Sequence, residues 1–219
     1  MRNVRVFFKK FAECRYISHL DLNRVMLRAV GKSRLNVWRT EGFNQHAYIT
    51  FALPLSLGFS SERESMDFRL LDDEMDLSLI PDMLNACLPQ GIRVFDCQEA
   101  KYKPADIDSA LYEAVLTSDD TSVKELYTAT AQLLESDEIP VEKKTKKGFK
   151  TVNLKEYVRT FSLSLGESSV TLSITLPAGS STNINPTLFV TALEKKTSVE
   201  IFYDISRKEI YTKEGEPFA

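Results

Sequence analysis

VRVFFKKFAECRYISHLDLNRVMLRAVG, residues 4–31, decides the fold class. Its first eight residues alternate and are rich in valine and phenylalanine, which predicts a strand. Ser18-His19-Leu20-Asp21 follows as an S-x-x-D form of the capping box, whose hydroxyl and carboxylate can satisfy the orphan N–H groups at a helix start. Leu22, Val25, Met26, Ala29 and Val30 then recur at three- and four-residue spacing, predicting an amphipathic helix that ends near Gly31. Outward from this pair, Ala47–Leu57 reads as a strand broken by Gly58. Met66–Leu71 reads as a strand, 77–88 as a helix and Ile92–Cys97 as a strand. The order β-α-β-β-α-β is that of the split βαβ, ferredoxin-like unit, with both helices on one face of an antiparallel sheet.

The second half repeats the order. Leu111–Leu116 reads as a strand and Ser122–Leu134 as a helix with Val123, Leu126, Tyr127, Thr130, Leu133 and Leu134 on one stripe. Ile139–Lys143 is a short strand candidate. Val158–Leu165 and Ser169–Leu176 flank Gly166-Glu167-Ser168 as a hairpin. Pro186 opens a helix to about Lys195, and Ser198–Tyr203 and Glu209–Thr212 read as strands. The expectation is an α+β protein of two ferredoxin-like modules, residues 1–103 and 104–219, with Lys101–Ala105 as the linker. A chain of 219 residues suits two small domains.

No apolar run reaches the roughly 20 residues that span a bilayer, and charges interrupt the N-terminal stretch too often for a signal-peptide core. Cys14, Cys87 and Cys97 are three, widely spaced and without a CxxC pair, which argues against a disulfide framework. These features together predict a cytoplasmic protein with no membrane partner. Net charge is −3, yet residues 1–50 hold ten basic residues against Glu13, Asp21 and Glu41. A basic surplus of that size calls for an anionic partner or an acidic counterpart in the same chain.

His19 and His46 are the only histidines. With Asp21 they are the candidate catalytic residues, and a cap-adjacent structural role for His19 stands beside that reading. None of the usual metal spacings is present, so no metal site and no cofactor are expected. Arg24 and Arg28 lie four apart on the first helix, either as an exposed face with local ion pairs or as a row facing an anion. Glu41-Gly42-Phe43-Asn44-Gln45-His46 places amides and an imidazole beside an aromatic face, which suits a nucleobase or a small polar ligand. From Lys143 to Arg159 there are seven basic residues against Glu156 alone. Lys146, Lys147 and Lys150 in that run form either a solvated loop or hairpin, or a contact to a phosphate backbone. No Gly-rich phosphate loop occurs.

Arg15-Tyr16-Ile17-Ser18-His19-Leu20-Asp21, then Gly42-Phe43-Asn44-Gln45-His46, then Phe51-Ala52-Leu53-Pro54-Leu55-Ser56-Leu57-Gly58 resemble the radical-SAM-linked protein family, a bacterial domain of unknown function. Lys146–Leu154 is similar to that family's later basic segment. Gln45 and Ala47 stand where the family pattern has prolines. The resemblance implies association with a radical-SAM enzyme and supplies no reaction. The CxxxCxxC motif of a radical-SAM core is absent, so this chain does not itself carry that cluster motif.

These features lead to an expected accessory module that holds tRNA or rRNA for a radical-SAM partner. Arg24, Arg28, Lys146, Lys147 and Lys150 would contact the backbone, Phe43 would stack, and Asn44 with His46 would read an edge. Two alternatives are a cofactor-independent enzyme using His19, Asp21 and His46, and a protein–protein adaptor for the radical-SAM chain.

Overall fold

A computed structural model describes residues 1–145 and 148–219, and it is a mixed α+β protein built on antiparallel strands. The chain divides into two compact units, Met1–Asp106 with Pro217–Ala219, and Ile107–Glu216.

In the first unit the elements run β1 (Arg2–Lys10), α1 (His19–Lys32), β2 (Ile49–Phe51), β3 (Ser60–Leu70), α2 (Ile80–Asn85) and β4 (Ile92–Glu99). The strands lie in the order β4-β1-β3-β2, and each pairing is antiparallel. Register follows from alternation: Val4 sits opposite Phe68 and Val6 opposite Met66, so apolar side chains meet on one face. That face packs in a single core with Leu22, Met26 and Val30 of α1 and Ile80 and Leu84 of α2. Each such side chain contributes about 1.5–3 kcal/mol on burial. A one-residue slip would turn the whole set outward. The intervening positions Asn3, Arg5, Asp67 and Arg69 therefore occupy the opposite, helix-free face.

In the second unit the elements are β5 (Ile107–Thr117), α3 (Val123–Glu135), β6 (Pro140–Thr145), β7 (Gly148–Asn153), β8 (Thr160–Leu165), β9 (Val170–Pro177), α4 (Thr187–Thr197) and β10 (Phe202–Thr212). Its sheet order is β10-β5-β9-β8, again antiparallel, and β6 and β7 pair separately. The wiring is last-first-third-second in both units, with the β6–β7 hairpin inserted after α3. Ser122 and Glu125 close a reciprocal capping box at the start of α3.

Several elements differ from their sequence expectation. The strand expected over Ala47–Leu57 is only Ile49–Phe51, and Pro54, which has no N–H to donate, falls in the following loop. Conversely, β3 begins at Ser60, six residues before the expected Met66, because Glu62, Arg63 and Glu64 hide its alternation. The two strands expected at 198–203 and 209–212 are one continuous β10. The helix expected over 77–88 is a 3₁₀ turn at Leu77–Leu79 followed by α2. No helix among the described residues is long and apolar enough to cross a membrane.

Candidate functional site

Ser18 caps α1, accepting from the Asp21 N–H at 3.1 Å and donating its hydroxyl to Asp21 Oδ2 at 2.7 Å. The Asp21 carboxylate takes Arg24 as its other partner, at 2.9 Å. The Ser18 hydroxyl, then Arg24, hold its carboxyl below the usual carboxylate range. Asp21 is therefore an ionised capping group held by Ser18 and Arg24. The His19 ring instead packs edge-on against Phe51, centroids 5.0 Å apart, and Phe51 in turn meets Phe8 at 6.3 Å. Arg15 donates from Nε to the Gly58 carbonyl at 2.7 Å, while the Gly58 N–H returns to the Arg15 carbonyl at 2.9 Å. Gly58 has φ +85°, the left-handed region that favours glycine. The RYISHLD and FALPLSLG segments are thus one folded assembly. Arg28, one turn beyond Arg24, is exposed and makes no ion pair among the described residues.

The GFNQH segment is closed differently. Arg39 bridges Ala47, and the Thr40 N–H donates to the His46 carbonyl at 2.9 Å. His46 Nδ1 lies 3.0 Å from the Asn44 carbonyl and 3.2 Å from the Thr40 hydroxyl. At the tip, Phe43 is fully exposed. Among the described residues, no hydrogen bond or ring contact joins Asn44 or His46 to His19 or Asp21. The two imidazoles sit in separate local settings.

At the foot of that loop lies a cleft that motif reading missed. It occupies about 330 Å³ on the helix-free face of the first unit, and its lining includes Asn3, Tyr48, Thr50, Arg69, Tyr102 and Lys103. Tyr48 meets Trp38 edge-on at 5.4 Å, and the Arg69 guanidinium lies 5.3 Å over the Trp38 ring. Lys101 stands 4.7 Å over the Tyr102 ring. One acidic side chain, Asp67, lines the cleft, and its two oxygens are held by Arg5 at 2.7 and 2.8 Å. Arg69 and Lys103 are exposed and make no ion pair among the described residues. The cleft therefore combines aromatic faces with uncompensated positive charge. No local motif announces it: Asn3 of β1, Thr50 of β2, Asp67 and Arg69 of β3 and Tyr102 are spread over about 100 residues.

A family model described as "Uncharacterized protein conserved in bacteria (DUF2344)" matches residues 3–186. The chain belongs to that family. The DUF2344 match spans the three N-terminal motifs, the strands that floor the cleft, and the β6–β7 hairpin. No curated protein matches the chain. Among solved structures it is similar to an unknown protein from Galdieria sulphuraria, at 15% identity and TM-score 0.28, covering 93% of this chain and 98% of the other. It is also similar to a protein named as a candidate glycine cleavage system transcriptional repressor, at 9% identity and TM-score 0.27, covering 94% and 98%. At those scores neither likeness bears on the fold.

The other basic candidate in this DUF2344 chain is the β6–β7 hairpin. Lys143 stands directly opposite Lys150, and Lys143 Nζ donates to the Asn183 carbonyl at 2.7 Å. Lys150 is exposed; Lys146 and Lys147 lie outside the described residues. Among the described residues no group of three His, Cys, Asp or Glu side chains is placed to hold a metal ion. Burial, then the neighbouring Asp96, pushes the Cys97 thiol up to about 12, which leaves it protonated and unreactive at neutral pH.

Proposed function

We propose that this chain is a cytoplasmic RNA-binding accessory module that works beside a radical-SAM enzyme, each unit being a ferredoxin-like split βαβ module. The fold part rests on the shared strand order, last-first-third-second, with helices following the first and third strands of each sheet. The functional part is carried by one observation: the cleft where Tyr48, Tyr102, Arg69 and Lys103 converge on a helix-free sheet face. Single-stranded RNA is held by stacking of unpaired bases on aromatic faces, combined with cations that track the backbone. The cleft offers both, and the exposed Phe43 adds a further stacking surface on the loop that leads into Tyr48. Arg5 neutralises Asp67, so the cleft floor does not repel phosphate. The radical-SAM partner rests on the likeness of the SHLD, GFNxH and FAxPLxxG segments.

Fluorescence anisotropy with tRNA and with unstructured RNA oligomers tests the reading. Affinity should fall steeply with salt, and R69E with K103E should flatten the log–log slope by about 1.4–1.8, the release expected for two phosphate contacts. Absence of binding at low salt to every RNA tried would end the RNA reading. Copurification from the native host tests the radical-SAM partner separately.

A further inference from the structure

The second unit ends its sheet on β8, Thr-Phe-Ser-Leu-Ser-Leu, and among the described residues no strand pairs with its outer side. Open edges of this kind are templates for pairing, and proteins ordinarily blunt them with lysine, proline, a bulge or shortness. The other end strand, β4, follows that rule: it carries Arg93, Asp96 and Glu99. In contrast, β8 has six residues, no charge, no proline, and an unbroken register with β9 from Thr160 to Leu165. Phe161 and Leu165 are each nearly half exposed. They project from the face on which Ile174 and Val170 of β9 are buried, so the core's apolar row continues past the last paired strand.

We propose that β8 pairs antiparallel with β8 of a second copy of this chain, about a two-fold axis through Leu163. The sequence fits itself in that register. Phe161 falls opposite the partner's Leu165 and Leu163 opposite the partner's Leu163, while Ser162 faces the partner's Ser164. Apolar side chains thus meet apolar ones on one face and hydroxyls meet hydroxyls on the other, and such opposed pairs stabilise a sheet. Backbone polarity agrees. The Gly166 N–H donates to the Ser169 carbonyl at 2.9 Å to close the β8–β9 hairpin. Residues of even number therefore turn their amides toward β9, and Phe161, Leu163 and Leu165 turn theirs outward. Those three are the residues that the two-fold register pairs, so the exposed donors and acceptors match one for one. No charge within the strand opposes the pairing, and beyond its ends Arg159 falls opposite the partner's Glu167. The Arg159 guanidinium stays on Asp108, so this last match is one of field sign and adds no new ion pair.

A second copy satisfies both the apolar row and the open amides, as an isologous interface requires. An unrelated strand could fill the edge, but nothing in β8 beyond self-complementarity selects its sequence.

Sedimentation velocity over a concentration series is the test. The wild-type chain should show a monomer–dimer equilibrium, and L163K, which sets two like charges on the axis, should raise the dimer dissociation constant at least 30-fold. E167R, at an exposed bend away from the packed core, should weaken the dimer several-fold without altering the circular dichroism spectrum. With Cys14 and Cys87 replaced by serine, oxidised L163C should crosslink to itself, because a hydrogen-bonded pair has a Cα separation of about 5.5 Å, within disulfide reach. F161C should crosslink only when combined with L165C. A wild-type monomer at the highest soluble concentration overturns the proposal. So does a dimer that survives L163K, or F161C crosslinking to itself as readily as L163C.

Discussion

Asp67 grips Arg5 with both carboxylate oxygens, although the guanidinium is completely buried. Two further Arg5 donors go to the Tyr102 carbonyl at 2.9 Å and the Ala219 carbonyl at 2.8 Å, and its Cζ lies 4.0 Å from the Phe218 ring centroid. One side chain thus ties β1 and β3 to the two segments that cover the helix-free face. D67L takes the carboxylate partner from a buried guanidinium and should cost about 3–5 kcal/mol. The double variant R5M/D67L removes both charges and should recover part of that loss. Urea unfolding of the two variants beside wild type measures the coupling; equal destabilisation of single and double variants would mean that the pair is held by packing alone.

How far the residues announced this arrangement varies with the physics involved. The alternation of Val4, Val6 and Phe8 and the stripe of Leu22, Met26 and Val30 were legible because burial on one face imposes a period. The start of α1 was legible in Ser18 and Asp21. The Asp21 carboxylate goes first to the Ser18 hydroxyl and Arg24, and the Ser18 backbone N–H is its weaker partner. The early part of β3 was hidden by Glu62, Arg63 and Glu64. The cleft was not legible at all. Its residues come from β1, β2, β3 and the segment after β4, and only the sheet order brings them together.

Phe43 touches nothing, so its truncation isolates a binding role. F43A should leave the unfolding free energy within about 0.5 kcal/mol of wild type, as for a surface change away from packed features. Loss of one stacked base should lower RNA affinity by roughly 5- to 150-fold, the equivalent of about 1–3 kcal/mol. Unchanged RNA affinity in anisotropy measurements would remove the loop from the interface and leave the cleft alone.

Acid should weaken the second unit through Asp108. The Arg159 guanidinium donates to this carboxylate and holds its carboxyl below the usual range. A depressed folded value means that the stabilisation is fully present above the unfolded carboxylate value, about 3.9. It is lost as pH falls through the folded value. D108N should therefore lower Tm by a few degrees at pH 7, consistent with about 1 kcal/mol for a partly exposed pair. The gap to wild type should close on titration into strong acid. A gap independent of pH, followed by calorimetry, would assign the loss to packing instead of charge.

His19 separates a structural from a chemical role by rescue. Its half-buried ring rests edge-on against Phe51, a contact worth about 0.5–1.5 kcal/mol beyond area. H19A should lower Tm, and H19F, which restores a ring of similar breadth without a titratable nitrogen, should return most of it. Both variants should keep wild-type RNA affinity, since the cleft lining does not include His19. If H19F is as stable as wild type yet loses RNA binding or any turnover of a bound RNA, the imidazole acts chemically, and the interface extends to the start of α1.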